Sequence, residues 1–150
     1  MASRKLWNLN LRIMGMETNE LTHTIIKAAI KVHRCLGPGL FEKVYKECLA
    51  KELTNVNVLV AQEVFLPVLY EDLLLDCGYR LDFLVESKVI IEAKSVDRLL
   101  PIHRKQLSTY LKLAKKEVGL LINFNSLFLR DGIIRVVSGY TGLKPGGDER

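Results

Sequence analysis

Tyr79 to Ser95 reads YRLDFLVESKVIIEAKS, two apolar runs separated by Glu86, Ser87 and Lys88. Alternation places Tyr79, Leu81, Phe83 and Val85 on one face of the first run, and Arg80, Asp82 and Leu84 on the other. In the second run Val89, Ile91 and Ala93 share a face, and Ile90, Glu92 and Lys94 share the opposite one. Asp82, Glu92 and Lys94 thus lie inside strands that otherwise read as buried. Such burial is costly unless the charges pair or hold a metal. If Asp82 opposes Glu92 in an antiparallel hairpin, Val85 must oppose Val89, and the connection is the three-residue loop Glu86-Ser87-Lys88. A two-residue turn at Glu86-Ser87 sets Asp82 against Ile91 and separates the carboxylates, unless a bulge restores them.

Outward from this hairpin the chain reads as helix, helix, strands, helix, strand and hairpin. The first helix is expected over Thr18 to Leu36, with Ile25, Ala29, Val32 and Leu36 on its buried stripe and Thr18 or Asn19 as cap. His23 and His33 lie ten positions apart on it and read as surface or structural residues. Gly37-Pro38-Gly39 ends that helix and starts a second, Leu40 to Leu53, whose stripe is Phe41, Tyr45, Cys48, Leu49 and Glu52. Glu42 stands at the rim of that stripe, where a helix N-terminus favours negative charge. Strands are expected at Val58 to Val60, Val64 to Tyr70 and Leu73 to Leu75, with Pro67 marking an edge or a bulge and Glu71-Asp72 a turn. Gly78 breaks the chain before the central hairpin.

Beyond Ser95 a loop leads to Pro101, suited to a first helical turn. A helix over Ile102 to Lys115 follows, with Leu107, Leu111 and Ala114 inward, Gln106 and Tyr110 at the stripe's edge, and Lys105, Lys112 and Lys116 solvated. Val118 to Asn123 reads as a strand, and Leu127 to Arg130 with Ile133 to Val137 as a hairpin about Asp131-Gly132. Residues 1–16 read as a flexible arm, 17–140 as one domain and 141–150 as a flexible tail.

The chain has 150 residues, 49% of them hydrophobic and 26% charged, which suits a globular domain with its own core. No apolar run is long enough for a membrane helix, and the N-terminus makes a poor signal peptide. The net charge of +5 is compatible with a polyanionic partner, but the basic residues are dispersed. Cys35, Cys48 and Cys77 form neither a disulfide framework nor a zinc pattern; they are expected to be reduced and mostly buried, in a cytoplasmic protein.

Two carboxylates beside a lysine suit an oxygen-preferring divalent cation, Mg²⁺ or Mn²⁺. Repulsion between the carboxylates should raise at least one of their pKa values, with Lys94 offsetting part of it. The bare pattern Asp82, nine residues, Glu92-Ala93-Lys94 also fits surface salt bridges. More specific is its company: Gly39-Leu40-Phe41-Glu42-Lys43-Val44-Tyr45 spells G-x-x-E-x-x-Y, and Gln106-Leu107-Ser108-Thr109-Tyr110 spells Q-x-x-x-Y. Together with LGPGLFEKVY, LDCGYRLDFLVE, LLINFN and DGIIRVV, these motifs resemble the GxxExxY protein family of the PD-(D/E)xK nuclease superfamily over residues 20 to 140. Leu81 stands where that superfamily commonly has proline.

The resemblance implies an α/β (α+β mixed-sheet) fold. Its restriction-endonuclease-like αβββαβ core gains an N-terminal helix and a C-terminal hairpin. It implies Asp82 and Glu92 as ligands of Mg²⁺ or Mn²⁺, joined by the Ala93 carbonyl and by Glu42, directly or through water. Lys94 looks like the catalytic lysine, and Gln106 resembles a catalytic position beside it, with Tyr45 and Tyr110 in support. The implied reaction is hydrolysis of phosphodiester bonds, with DNA as the expected nucleic-acid partner, in repair, recombination or defence. A homodimer is allowed by this reading and not demanded. The alternative is a non-catalytic nucleic-acid-binding or partner-binding module on the same fold.

Overall fold

The computed structural model describes residues 16–139. The expected arm, apart from Met16, and the expected tail lie outside them. The helices are α1 (Thr18–Leu36), α2 (Glu42–Asn55) and α3 (Pro101–Ala114). The strands are β1 (Val60–Phe65), β2 (Val68–Tyr70), β3 (Leu73–Leu75), β4 (Arg80–Val85), β5 (Val89–Lys94), β6 (Val118–Asn123) and β7 (Ile133–Val137). Five strands form one mixed sheet in the order β1-β4-β5-β6-β7, and β2 and β3 pair with each other alone. The succession α2-β1-β4-β5-α3-β6 is the expected restriction-endonuclease-like core, preceded by α1 and closed by an antiparallel β6–β7 pair.

The central hairpin takes the longer loop. Phe83 pairs with Ile91, Leu84 with Ile90 and Val85 with Val89, leaving Glu86, Ser87 and Lys88 as the turn. Glu86 and Ser87 both adopt left-handed backbone, at φ 51° and 53°. Glu86 is held by two bonds to Leu59: its N–H donates to the Leu59 carbonyl at 2.8 Å, and its Oε1 accepts the Leu59 N–H at 2.6 Å. From β5 the chain crosses through α3 to β6, which runs parallel to it from Val89↔Val118 to Lys94↔Asn123. A parallel strand covered on both faces is nearly continuous in apolar residues, and every residue of VGLLIN in β6 is buried.

Helices cover both faces of this sheet. Phe83, Val85, Val89, Ile91, Ala93, Leu120 and Ile122 pack with Leu21, Ile25, Ala29, Tyr45 and Leu49 of α1 and α2. Ile90, Leu121 and Val136 pack on the other side with Leu107 and Leu111 of α3. Each such side chain removed from water stabilises the fold by roughly 1.5–3 kcal/mol before the cost of ordering it. The α3 layer comes so close to β6 that a Cβ on Gly119 would lie 2.9 Å from a Leu107 methyl.

Several local expectations are corrected. No side chain caps α1: Glu17 flanks it, and the Asn19 side chain instead accepts a bond from Arg135 at 2.8 Å. Leu36 is 38% exposed rather than part of the buried stripe. The second helix starts at Glu42 rather than Leu40, because Gly37 and Gly39 at φ 69° and 101° keep the chain out of helical geometry. Phe41 is therefore outside the helix and in water. The first expected strand begins two residues later and runs through to Phe65, and the run Val64 to Tyr70 is cut at Leu66-Pro67. Cys35 and Cys77 are exposed and Cys48 is half-buried, so the cysteines are not core residues.

The hairpin expected about Asp131-Gly132 is absent. Leu129–Gly132 is a short 3-10 turn, and Ile133–Val137 pairs with β6 instead. Gly132 is needed for space: a Cβ there would lie 2.2 Å from Ser126 Oγ and 2.6 Å from the Asn123 carbonyl oxygen. Gly132→Ala is expected to destabilise the protein by about 1–3 kcal/mol through overpacking against backbone. Gly139→Ala, where a Cβ meets nothing within 4 Å, should leave the melting temperature unchanged. Thermal unfolding followed by circular dichroism checks the pair.

Candidate active site

The ladder on each side of β4 is interrupted at Asp82. On one side the β1 pairing skips from Gln62↔Phe83 to Val64↔Leu81, and Glu63, across from Asp82, adopts φ 49°. On the other side the β5 pairing ends at Phe83↔Ile91. Leu81 packs in the α3 layer and Phe83 in the α1/α2 layer, so β4 turns over at Asp82 and the expected shared face of Leu81 and Phe83 does not form.

Where the ladder stops, side chains replace it. The Asp82 N–H donates to Glu92 Oε1 at 3.2 Å, and the Ala93 N–H donates to Asp82 Oδ2 at 2.9 Å. Each carboxylate thus satisfies a buried N–H on the opposite strand, and both side chains are fixed at the parted end of the hairpin. Asp82 and Glu92 are buried, while Lys94, two residues on, is half-buried. The other oxygen of Asp82, Oδ1, receives Lys46 Nζ at 2.9 Å, and the same ammonium bonds Glu63. The cation paired with Asp82 is therefore Lys46 of α2, rather than Lys94 or Arg80; the Arg80 guanidinium lies 4.9 Å from the centre of the Phe65 ring.

Glu42 opens α2 one helical turn before Lys46, within electrostatic reach of Asp82 and Lys94. It is placed there by the rest of its motif. Tyr45 is wholly buried, stacks on Phe124 with ring centres 4.8 Å apart, donates its hydroxyl to the Gly37 carbonyl at 2.6 Å and accepts the Leu40 N–H at 3.1 Å. Gly39 donates its N–H to Asn125 Oδ1 at 3.0 Å. Tyr45 is a brace for the loop that delivers Glu42.

From α3, Gln106 donates to the Tyr110 hydroxyl at 3.0 Å. Tyr110 is buried and senses the charges of Glu92 and Asp82. Gln106 also lines a groove of about 420 Å³ with Val68, Tyr79, Ile102 and Leu113, a lining that includes neither Asp82 nor Glu92. The structure therefore groups Glu42, Asp82, Glu92, Ala93 and Lys94, and Gln106 is linked to the carboxylates through Tyr110. Lys46 and Glu63 were not anticipated. Lys46 had one signal, its place four residues after Glu42 on the same helical face; Glu63 had none, since only the β1–β4 register sets it across from Asp82.

The electrostatics follow from this crowding. Burial, and then the charge of Asp82, push the Glu92 carboxyl up to about 8, with Lys94 pulling the other way. Burial and Asp82 likewise raise Glu42, offset in part by Lys94 and Lys46. Burial would lower the Lys46 ammonium, but its bonds to Glu63 and Asp82 outweigh that and raise it. Tyr110 is raised by burial and then by Glu92.

Among the described residues no three His, Cys, Asp or Glu side chains are arranged as a metal cage. The two interlocked carboxylates do fit a hard cation that keeps its waters, since Mg²⁺ characteristically takes one or two protein carboxylates. Binding there has to compete with Lys46 for Asp82 Oδ1.

The chain matches the family model of the PD-(D/E)XK nuclease superfamily over residues 19–136 and belongs to that superfamily. Its members are nucleases that generally use divalent metals, which implies a nucleic-acid substrate. No curated protein and no solved structure matches the chain. Among the described residues no helix is long and apolar enough to cross a membrane.

The raised Glu92 carboxyl makes metal-free stability fall with pH. The folded state holds the proton more tightly than the unfolded chain, so this contribution is complete below the ordinary value of 4.5 and is lost as pH rises through about 8. Glu92→Gln keeps the acceptor for the Asp82 N–H and cannot ionise. In EDTA it should flatten that fall and exceed the wild type above that range by on the order of a few kcal/mol. Chemical denaturation at pH about 5 and about 9 tests this, and a pH-independent difference refutes it.

Proposed function

We propose that this chain is a metal-dependent nuclease of the GxxExxY group that hydrolyses phosphodiester bonds, with DNA as substrate, in repair, recombination or defence. The observation that carries the reading is the interlocked Asp82–Glu92 pair at the parted end of β4 and β5, with Lys94 on the same strand. Superfamily membership supports it. Asp82, Glu92 and the Ala93 carbonyl would hold Mg²⁺ or Mn²⁺, with Glu42 as a further acid for the cation or its waters. When bound, the cation supplies positive charge to a phosphate and lowers the pKa of a water.

The chain's own groups do the rest. Lys94 meets negative charge developing on the phosphate, because it is a half-exposed cation on the strand that bears Glu92, whereas Lys46 is already engaged by Asp82 and Glu63. Lys46 and Glu63 hold Asp82 in place before a cation arrives. Gln106 orients Tyr110, and through it the α3 side of the site. Three free cysteines fit a reducing cytoplasm.

The reading extends to a homodimer through β2 and β3. Leu69, Tyr70, Leu73 and Leu74 of this hairpin are each more than half exposed, and neither edge pairs with another strand among the described residues. An isolated two-stranded sheet is marginal in water, and a second copy would cover both its leucines and its edges.

Cleavage is tested on single-stranded, duplex, flap and junction DNAs with Mg²⁺ or Mn²⁺. Metal-dependent hydrolysis is expected from the wild type. Lys94→Ala should lose at least about 100-fold of it, as removal of one charge-stabilising donor does, while keeping the rise in melting temperature that Mn²⁺ produces. Wild-type rates in Lys94→Ala remove the lysine from the mechanism, and binding without cleavage by the wild type favours the non-catalytic module. Leu74→Glu should convert a dimer to a monomer by light scattering with the circular dichroism spectrum unchanged; a monomeric wild type rules the dimer out.

A further inference from the structure

Two loops anchored at the end of β5 carry apolar side chains that the core does not use. Phe41 is 87% exposed, Leu127 80% and Phe128 73%, and Leu40 is partly exposed. Scattered exposed hydrophobics are ordinary, but these belong to two loops bound to each other and to the site. In the first, Phe41 directly precedes Glu42, and the Leu40 carbonyl accepts Ser95 Oγ at 2.6 Å, one residue past Lys94. In the second, the Phe124 N–H donates to the Lys94 carbonyl at 2.9 Å, and Asn125 reaches the Val96 carbonyl at 3.3 Å. Gly39 and Asn125 join the loops, and His33 holds the Ser126 carbonyl at 2.7 Å. Both phenyl rings are thus carried on loops anchored to the strand end that bears Lys94.

The surrounding charge says what suits these rings. Arg34 and Arg130 line a groove with Leu127 and Phe128, and exposed Lys43 lies two residues past Phe41, against the exposed acids Glu47 and Asp131. Flat aromatic faces with basic residues around them match a polyanion that carries aromatic rings of its own, because bases stack on such side chains whatever their sequence. A closed duplex hides its base faces and offers these rings only phosphates and edges.

We propose that Phe41, with Phe128, forms a stacking platform for unpaired bases, so that the substrate of this site is single-stranded or frayed DNA rather than closed duplex. The inference rests on the nuclease reading and specifies its substrate. Phe41 stands in the position to receive a base next to the phosphate that Lys94 meets, and Phe128 extends the platform along the second loop.

The test is binding in EDTA, which separates it from cleavage. The probe is a single-stranded oligodeoxynucleotide carrying 2-aminopurine, compared with the same sequence as blunt duplex. The proteins are the full-length wild type, Phe41→Ala, Phe41→Leu, Phe41→Tyr and Phe128→Ala; the rings are exposed, and unchanged melting curves verify folding. Phe41→Ala should weaken single-strand binding roughly 5- to 150-fold and leave duplex binding unchanged. Phe41→Tyr should restore it and Phe41→Leu should not, since leucine keeps the apolar bulk and lacks the ring. Phe128→Ala should show a loss in the same direction. Single-strand affinity unaltered in Phe41→Ala, or lost equally for duplex, overturns the platform while leaving the nuclease reading standing. A wild type that neither binds nor cleaves any nucleic acid overturns both.

Discussion

The exchange of carboxylate–amide bonds between β4 and β5 is the constraint on which this site depends. Asp82 sits where backbone pairing with β1 is interrupted and pairing with β5 ends. A buried N–H left without an acceptor costs free energy comparable to a lost hydrogen bond. Glu92 accepts the Asp82 N–H, and Asp82 accepts the Ala93 N–H. The strands can therefore part without orphaning their donors, and the parting sets two carboxylates side by side. Hydrophobic side chains at those positions would satisfy the packing and leave the amides unpaired.

The same arrangement accumulates charge. Glu92 is driven upward because its burial and the charge of Asp82 act in one direction. Lys46 and Lys94 temper the cluster, Glu63 adds to its negative charge, and Lys46 takes the largest visible part of the compensation by bonding both Asp82 and Glu63. A group of acids held together against repulsion, with basic residues reaching in from a helix and a strand, is poised to gain from a divalent cation. That is a physical reason for a site to carry a cost in stability where it performs chemistry.

The surrounding loops follow a second constraint, the bracing of α2. Tyr45 spends its hydroxyl on two backbone groups of the Gly37–Leu40 loop and its ring on Phe124. The loop is thereby held extended until Glu42, which fixes the helix start beside Asp82 and leaves Phe41 facing solvent. One buried tyrosine thus couples the position of a candidate site acid to the exposure of the aromatic residue next to it.

Much of this was legible in the chain. The span of α1 follows from periodicity, and the three-residue loop of the central hairpin follows from parity once Asp82 is set opposite Glu92; Val118 to Asn123 reads as a strand at a buried edge, and its place between β5 and β7 is set by the sheet. The grouping of Asp82, Glu92 and Lys94 follows from the same parity once that loop is set. Other features depended on partners far away in sequence. Asp131-Gly132 has the local chemistry of a tight hairpin, yet the glycine is occupied by close contact with Asn123 and Ser126, and the strand after it pairs with β6. Glu63 lies across from Asp82 only through the β1–β4 register, and Lys46 reaches Asp82 only because α2 packs over that end of the sheet. Phe41 reads as a helix-stripe residue until Tyr45 is seen to hold the loop before it. Spacing along the chain determined which side chains share a face; the packing of one element on another decided which charges meet, because that distance is set by neighbours that local sequence does not encode.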